Sequence, residues 1–316
     1  MHGLNILPAM ADDASSRPSR PLQTEALAAI VRRMGRAAEP PWLHGEVARR
    51  MAERLSLVRL QPAALIDWWS FNGAGAALLR QAYPRARILH VEPLDPVRER
   101  ARTATAKGRW LPRFRAAALD EWADPQQVPA SSGGLLWANM MLHLSADPLA
   151  TLSAWHRALA VDGFLMFSTL GPGTLQGLRR LYAQLGWPSP HAPFVDMHDL
   201  GDMLVQAGFA DPVMDQEPLT LTWADPDALL DELRSLGGNA DPQRAAGLRT
   251  PRWRRRLRDE LQQLRGGDGR LRLDFELVYG HAFRAAPKPK VAAQTSVALD
   301  EMRAMVRAGR RGPESL

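Results

Sequence analysis

Ala63-Ala64-Leu65-Ile66-Asp67-Trp68-Trp69-Ser70-Phe71-Asn72-Gly73-Ala74-Gly75 is the stretch that decides the fold. Its apolar run over residues 63–69 follows Pro62, and a turn with two glycines leads into small residues through Arg80. A short apolar run, a glycine turn and a small-residue segment read as strand, turn and helix. The same signal recurs downstream, with strand patterns at 87–92, 114–119, 135–140 and 163–169 and helical patterns at 95–105, 149–159, 174–185 and 197–207. The last two helices are expected to stop at Gly186 and Gly208. Strands alternating with helices predict a doubly wound, mostly parallel sheet of Rossmann-like α/β type.

Beyond residue 210 the alternation stops. Two strand patterns, 212–223 and 271–284, enclose helical segments at 226–236 and 253–264. An antiparallel edge strand pair with a helical cap over about 225–266 fits that order. Upstream, helical spacing covers 22–35 and 42–60 around Pro40-Pro41. The organisation read from the sequence is a disordered tail over 1–22, one domain over 23–284 and a disordered basic tail over 285–316.

Composition limits what such a domain can be. At 316 residues, 46% hydrophobic and 23% charged, the chain can bury a large core. No apolar stretch approaches the roughly 18 residues of a membrane span, and no secretory signal pattern opens the chain, so a cytoplasmic location and no membrane partner are expected. Cysteine is absent, which removes disulfides, thiolate metal sites and a cysteine nucleophile. The net charge of +6 suggests nucleic acid, but much of the excess falls in 284–316, where seven Lys and Arg face three acids. A solvated basic tail accounts for that excess better than a nucleic-acid clamp.

Chemistry is expected where a doubly wound sheet binds ligands, outside the carboxyl ends of its strands at the switch point. Asp67 and Glu92 stand at the ends of the first two strands. An acid ending the second strand suits ribose hydroxyls, because a carboxylate accepts two hydrogen bonds at once. A solvent-facing strand-end acid is the alternative. Gly73 and Gly75 are the only glycines of the turn, and Trp68, Trp69 and Phe71 either line a pocket or belong to the core. His143, His191 and His198 are scattered and predict no metal site. No Gly-x-Ser-x-Gly elbow or phosphate loop occurs.

From Gly163 onward the chain resembles the malonyl-acyl-carrier-protein O-methyltransferases of biotin synthesis, which are class I methyltransferases dependent on S-adenosyl-L-methionine (SAM). The resemblance rests on Phe167-Ser168-Thr169-Leu170-Gly171-Pro172-Gly173-Thr174-Leu175, Asp196-Met197-His198-Asp199-Leu200-Gly201-Asp202, Ala207-Gly208-Phe209, Leu219-Thr220-Leu221-Thr222 and Val278-Tyr279-Gly280-His281-Ala282. It is close over 163–284 and extends upstream through Asn139, Asp147-Pro148, Arg36-Ala37-Ala38 and Glu46-Val47-Ala48-Arg49-Arg50. It departs at the cofactor loop, where the family's Asp-x-Gly-x-Gly-x-Gly is Asp67-Trp68-Trp69-Ser70-Phe71-Asn72-Gly73.

The resemblance implies a SAM site formed by Asp67, Gly73, Gly75, Glu92 and Asn139, with Asp120 substituting for the acid usual beside the adenine. It also implies an acidic acyl carrier protein as partner, which the arginines at 249, 252, 254, 255, 256 and 258 could contact if they are not simply a solvated helix face. Methyl transfer to a carboxylate needs no general base, since a carboxylate is ionised at neutral pH. It needs a donor that orients the nucleophile, and His143, Arg179 and His198 are the candidates. The competing expectation is a relative that kept the fold and lost cofactor affinity, acting as a binding or regulatory partner.

Overall fold

The computed structural model describes residues 22–286 apart from 57, 109–119, 246 and 248. The chain divides into residues 1–285 and 286–316, and every element named here belongs to the first unit. Two helices, α1 (Thr24–Gly35) and α2 (Trp42–Leu55), precede the sheet. Then come β1 (Ala64–Trp68), a single-turn α3 (Ser70–Gly73), α4 (Ala76–Ala82), β2 (Arg87–Val91), α5 (Asp95–Gly108), β3 (Asp120–Ala123) and β4 (Gly133–Ala138). The second half is α6 (Pro148–Ala158), β5 (Leu159–Leu170), α7 (Gln176–Gln184), α8 (Met197–Gln206), β6 (Ala210–Trp223), α9 (Pro226–Ser235), α10 (Pro251–Leu261) and β7 (Leu271–Phe283).

These strands form one seven-stranded sheet in the order β3-β2-β1-β4-β5-β7-β6. The first five run parallel, and β7 pairs antiparallel with both β5 and β6. Burial follows the position of each strand. Residues 163–170 of β5 are buried without interruption, as a central strand covered on both faces requires, whereas the edge strand β6 alternates exposed and half-buried residues. The described β3 covers Asp120–Ala123, and the strand expected at 114–119 falls outside the described residues. The tails expected at 1–22 and 285–316 fall almost wholly outside them too.

Helix starts are written locally. Asp147, Asp196, Asp225 and Thr250 each accept a hydrogen bond from a backbone N–H in the first turn of α6, α8, α9 and α10, and proline opens three of these helices. The core has two main layers because neighbouring strand residues point to opposite faces: Trp137 joins Leu43, Met51 and Leu79, whereas Leu136 joins Trp155, Phe167 and Leu204. A third cluster under α1 holds Leu27, Ile30, Met34, Met141 and Leu144. Since β1 lies between β2 and β4, with successive strands departing in opposite directions, the switch point is the crevice between the carboxyl ends of β1 and β4.

Candidate active site

The β1 loop is built without glycine at its most demanding positions. Trp69, at the family's first glycine position, has φ 55°, and Ala74 has φ 53°. The left-handed region costs a side-chain-bearing residue on the order of 1 kcal/mol or more, so surrounding contacts must hold the loop there. The Trp69 N–H donates to the Val91 carbonyl oxygen at 2.7 Å, and the Gly73 N–H donates to the Trp69 carbonyl at 2.9 Å. Gly75, which precedes α4, is required sterically: a Cβ there would collide with the Trp137 ring.

Glu92 follows β2, is 2% exposed, and accepts a hydrogen bond from the Phe71 N–H. Burial pushes its carboxyl up to about 7, against the lowering effects of the Phe71 N–H and of nearby His90 and Arg98. Asp67, within β1 and fully buried, accepts from Ser70 Oγ at 2.5 Å and lies 3.1 Å from His90 Nδ1. Burial alone would lower the His90 imidazole, but the carboxylates of Asp120 and Asp67 outweigh it and raise it to about 9. An imidazolium is thus enclosed by Asp67, Ser70 and Asp120 and stacks on Trp122 with centroids 4.4 Å apart.

Asn139 ties the loop to the rest of the sheet. Its amide donates to the carbonyl oxygens of His44 (2.8 Å) and Gly73 (2.7 Å), and its oxygen accepts from Ser168 Oγ at 2.6 Å. All of this is buried. His44 in turn donates from Nδ1 to the Asn72 carbonyl at 2.7 Å, and burial lowers its imidazole to about 4.

The structure gathers Asp67, Gly73, Gly75, Glu92 and Asn139 at the carboxyl ends of β1, β2 and β4. Asp120 meets them only through His90, whose Nε2 lies 3.8 Å from its carboxylate. Asp120 opens the described part of β3, opposite Ile88, and is ion-paired to Arg80. The acid after the carboxyl end of β3 is Asp124, which lies 3.3 Å from Arg98 and caps the following turn through the Gln126 N–H. Of the three substrate-side candidates only His143 lines a cavity; Arg179 and His198 are exposed on α7 and α8.

That cavity, of about 620 Å³, lies between α1, the segment after β4, α7, α9 and α10. Leu170, Leu175, Leu178, Leu257 and Phe275 give it apolar walls, and Arg33, Arg234, Arg249 and Arg254 line it as well, with Asp231 the acid among them. His143 approaches Thr169 Oγ1 at 3.5 Å and meets Phe194 edge to face. Burial raises the Tyr182 phenol to about 12. Tyr182, His191 and Arg33 are not among the substrate-side residues expected from the sequence, and Arg249 is there only as a contact for the carrier; Tyr182 carried one usable signal, a lone aromatic on the apolar face of α7 beside Leu178 and Leu181.

No family model matches the chain. Curated proteins do. The malonyl-[acyl-carrier protein] O-methyltransferase of Laribacter hongkongensis is 40% identical over 252 residues, covering 78% of this chain and 84% of that one. The protein of the same name from Gallionella capsiferriformans is 40% identical over 251 residues, covering 78% and 85%, and that of Halorhodospira halophila is 36% identical over 255, covering 80% and 85%. The chain belongs to this family. It is a transferase of the SAM-dependent methyltransferase class. Among solved structures, the YcgJ protein of Bacillus subtilis superposes with a TM-score of 0.53 at 11% identity, covering 77% of this chain and 99% of that one. A candidate methyltransferase from Bacillus halodurans gives 0.51 at 12%, covering 76% and 100%. At such identities the superpositions establish the fold.

The donor set suits the cofactor. Glu92 follows β2, at the position expected of a ribose acceptor, and Asp67 Oδ1, Asn72 Oδ1 and His44 Nε2 are buried without hydrogen-bond partners. Three orphaned polar atoms on β1, its loop and the helix against it are what a polar ligand would satisfy. Among the described residues no group of three acids or histidines could hold a metal, and no helix is long and apolar enough to cross a membrane.

Proposed function

We propose that this methyltransferase esterifies the free carboxylate of a malonyl group carried on an acidic acyl carrier protein, in the cytoplasm and in the service of biotin synthesis. The observation that carries the reading is the cavity of about 620 Å³, whose apolar walls suit an acyl chain and whose arginines suit its acid and the phosphate of the carrier arm. SAM, held at Glu92 and the β1 loop, supplies the methyl group. The chain's own residues bind and orient the carboxylate and keep water out; with the nucleophile already ionised, no proton need be removed. His143, at the cavity wall beside Thr169, is the proposed donor to the carboxylate.

The test is transfer of a labelled methyl group from SAM to malonyl-acyl carrier protein by the full chain. Labelled ester is expected, and His143→Ala should reduce kcat/KM by about 10- to 100-fold, the worth of one charged-group hydrogen bond. Carrier binding without any ester would support a second reading, a carrier-binding relative without turnover, which the aromatic β1 loop favours.

A further inference from the structure

Trp69 stands at the switch point itself. It is the first residue beyond β1, and its left-handed backbone turns the chain across the strand ends while its N–H is anchored to Val91. Its ring packs against the cluster of Leu27, Ile30 and Met34 from α1 with Met141 and Leu144 from the segment after β4. It also packs against the sheet-face cluster that contains Ile66, Trp68 and Leu142. A side chain touching β1, α1 and the segment after β4 spans the crevice in which a doubly wound sheet binds its ligand. The ring is half-buried, and its Nε1 is buried without an acceptor, as are the indole nitrogens of Trp122, Trp137, Trp155 and Trp253.

Phe71 makes the matching substitution on the other side of the loop. Its backbone N–H is bonded to Glu92, so the carboxylate meant for an incoming hydroxyl already has a donor from its own chain. The Phe71 ring turns outward to the Arg100 guanidinium, 4.7 Å away.

We infer that the Trp69 indole is an intramolecular occupant of the SAM pocket, and that its expulsion sets the affinity of this chain for the cofactor. The inference rests on the family's cofactor binding at this loop. SAM competes with the indole for one volume, so apparent affinity falls by the fraction of molecules in which the ring has left. Glycine at position 69 would remove the occupant and relieve the strained φ together.

The experiment is calorimetric titration of S-adenosylhomocysteine into the full chain, Trp69→Gly and Trp69→Phe, with circular dichroism and melting curves to establish that each variant is folded; Trp69→Ala replaces the glycine variant if that does not fold. Trp69→Gly should bind at least tenfold tighter than wild type. Wild-type fluorescence should shift to the red as ligand drives the indole into water, and Trp69→Phe should lack that component. Equal, tight binding by wild type and Trp69→Gly would overturn the occupancy while leaving the cofactor site intact. Weaker binding by the variant would make Trp69 a wall of the site rather than its occupant. No binding by either would overturn the occupancy and also remove SAM from this chain's function.

Discussion

The two ends of the sheet have been treated in opposite ways. Around β1 and β2 the carboxyl ends of the strands are covered by Trp69, the Phe71 backbone and the stacked His90 and Trp122 rings. Around β5 and β7 the chain leaves a cavity of about 620 Å³ under α7, α9 and α10. The open end is built largely from residues 163–284, which resemble the family closely, and the filled end from residues 67–75, which do not. Both regions nevertheless share one core layer, which runs from Leu65, Leu79 and Ile88 to Leu178, Leu257 and Phe275, and buried side chains join the recast loop to the strands beside the cavity.

Asn139 is one of the joining side chains, and removing it is the largest single disruption expected. Asn139→Ala leaves the His44 and Gly73 carbonyls and the Ser168 hydroxyl without their buried partner. At about 1–3 kcal/mol for each buried group left unsatisfied, a loss of about 3–5 kcal/mol is expected in urea unfolding. If the loss is under about 1 kcal/mol, the β1 loop is not fastened to β5 as its hydrogen bonds indicate, and the contrast between a rigid filled end and an open one fails.

Most of the fold was legible in the sequence because strands and helices announce themselves through period and punctuation. Phe164 to Leu170 could only be a buried strand, and the Asp-Pro pairs opening α6 and α9 mark their own helix starts. Glu92 was legible for the same reason, since its position depends only on where β2 ends. Asp120 opens the described part of β3, opposite Ile88, and its pairing with Arg80 and its approach to His90 were not legible, because those partners lie on other elements. The cavity was not legible. Its lining converges from Arg33, His143, Tyr182 and Arg249, and nothing local to any of them records the others. The burial of His90 between two acids was hidden likewise, its partners lying on neighbouring strands 23 and 30 residues away.

That buried imidazolium gives the filled end its own pH dependence. His90 is raised to about 9 in the folded chain from an ordinary 6.5, so its contribution is fully present below pH 6.5 and is lost as pH rises through 9. Glu92, raised to about 7, adds a fall in stability between about 4.5 and 7, where His44, lowered to about 4, works in the opposite direction. The window from 7 to 9 therefore isolates His90. Melting temperature should decline across it by an amount corresponding to about 1–3 kcal/mol, and His90→Gln should flatten the decline. An unchanged slope in the variant would mean that His90 is not charged in the folded chain.

The smallest effect on stability is expected at the rim of the open end, on α10. Charge there is less available than the run of arginines suggests: Arg258 and Arg254 pair with Asp227 at 2.6 and 3.4 Å, and Arg256 lies 3.6 Å from Glu260. Arg252 and Arg255 are exposed. If an acidic carrier docks on this face, Arg252→Glu with Arg255→Glu should slow association several-fold at low ionic strength and flatten its salt dependence, because exposed charges act mainly on encounter. Melting temperature should move by less than about 2 °C, since exposed charges contribute little to folding. Binding of S-adenosylhomocysteine should not change, because Arg252 and Arg255 line neither the cavity nor the β1 loop. Association kinetics by stopped flow at two salt concentrations would decide it: equal rates for wild type and variant return these arginines to an ordinary solvated helix face, and altered cofactor binding means that α10 reaches the filled end after all.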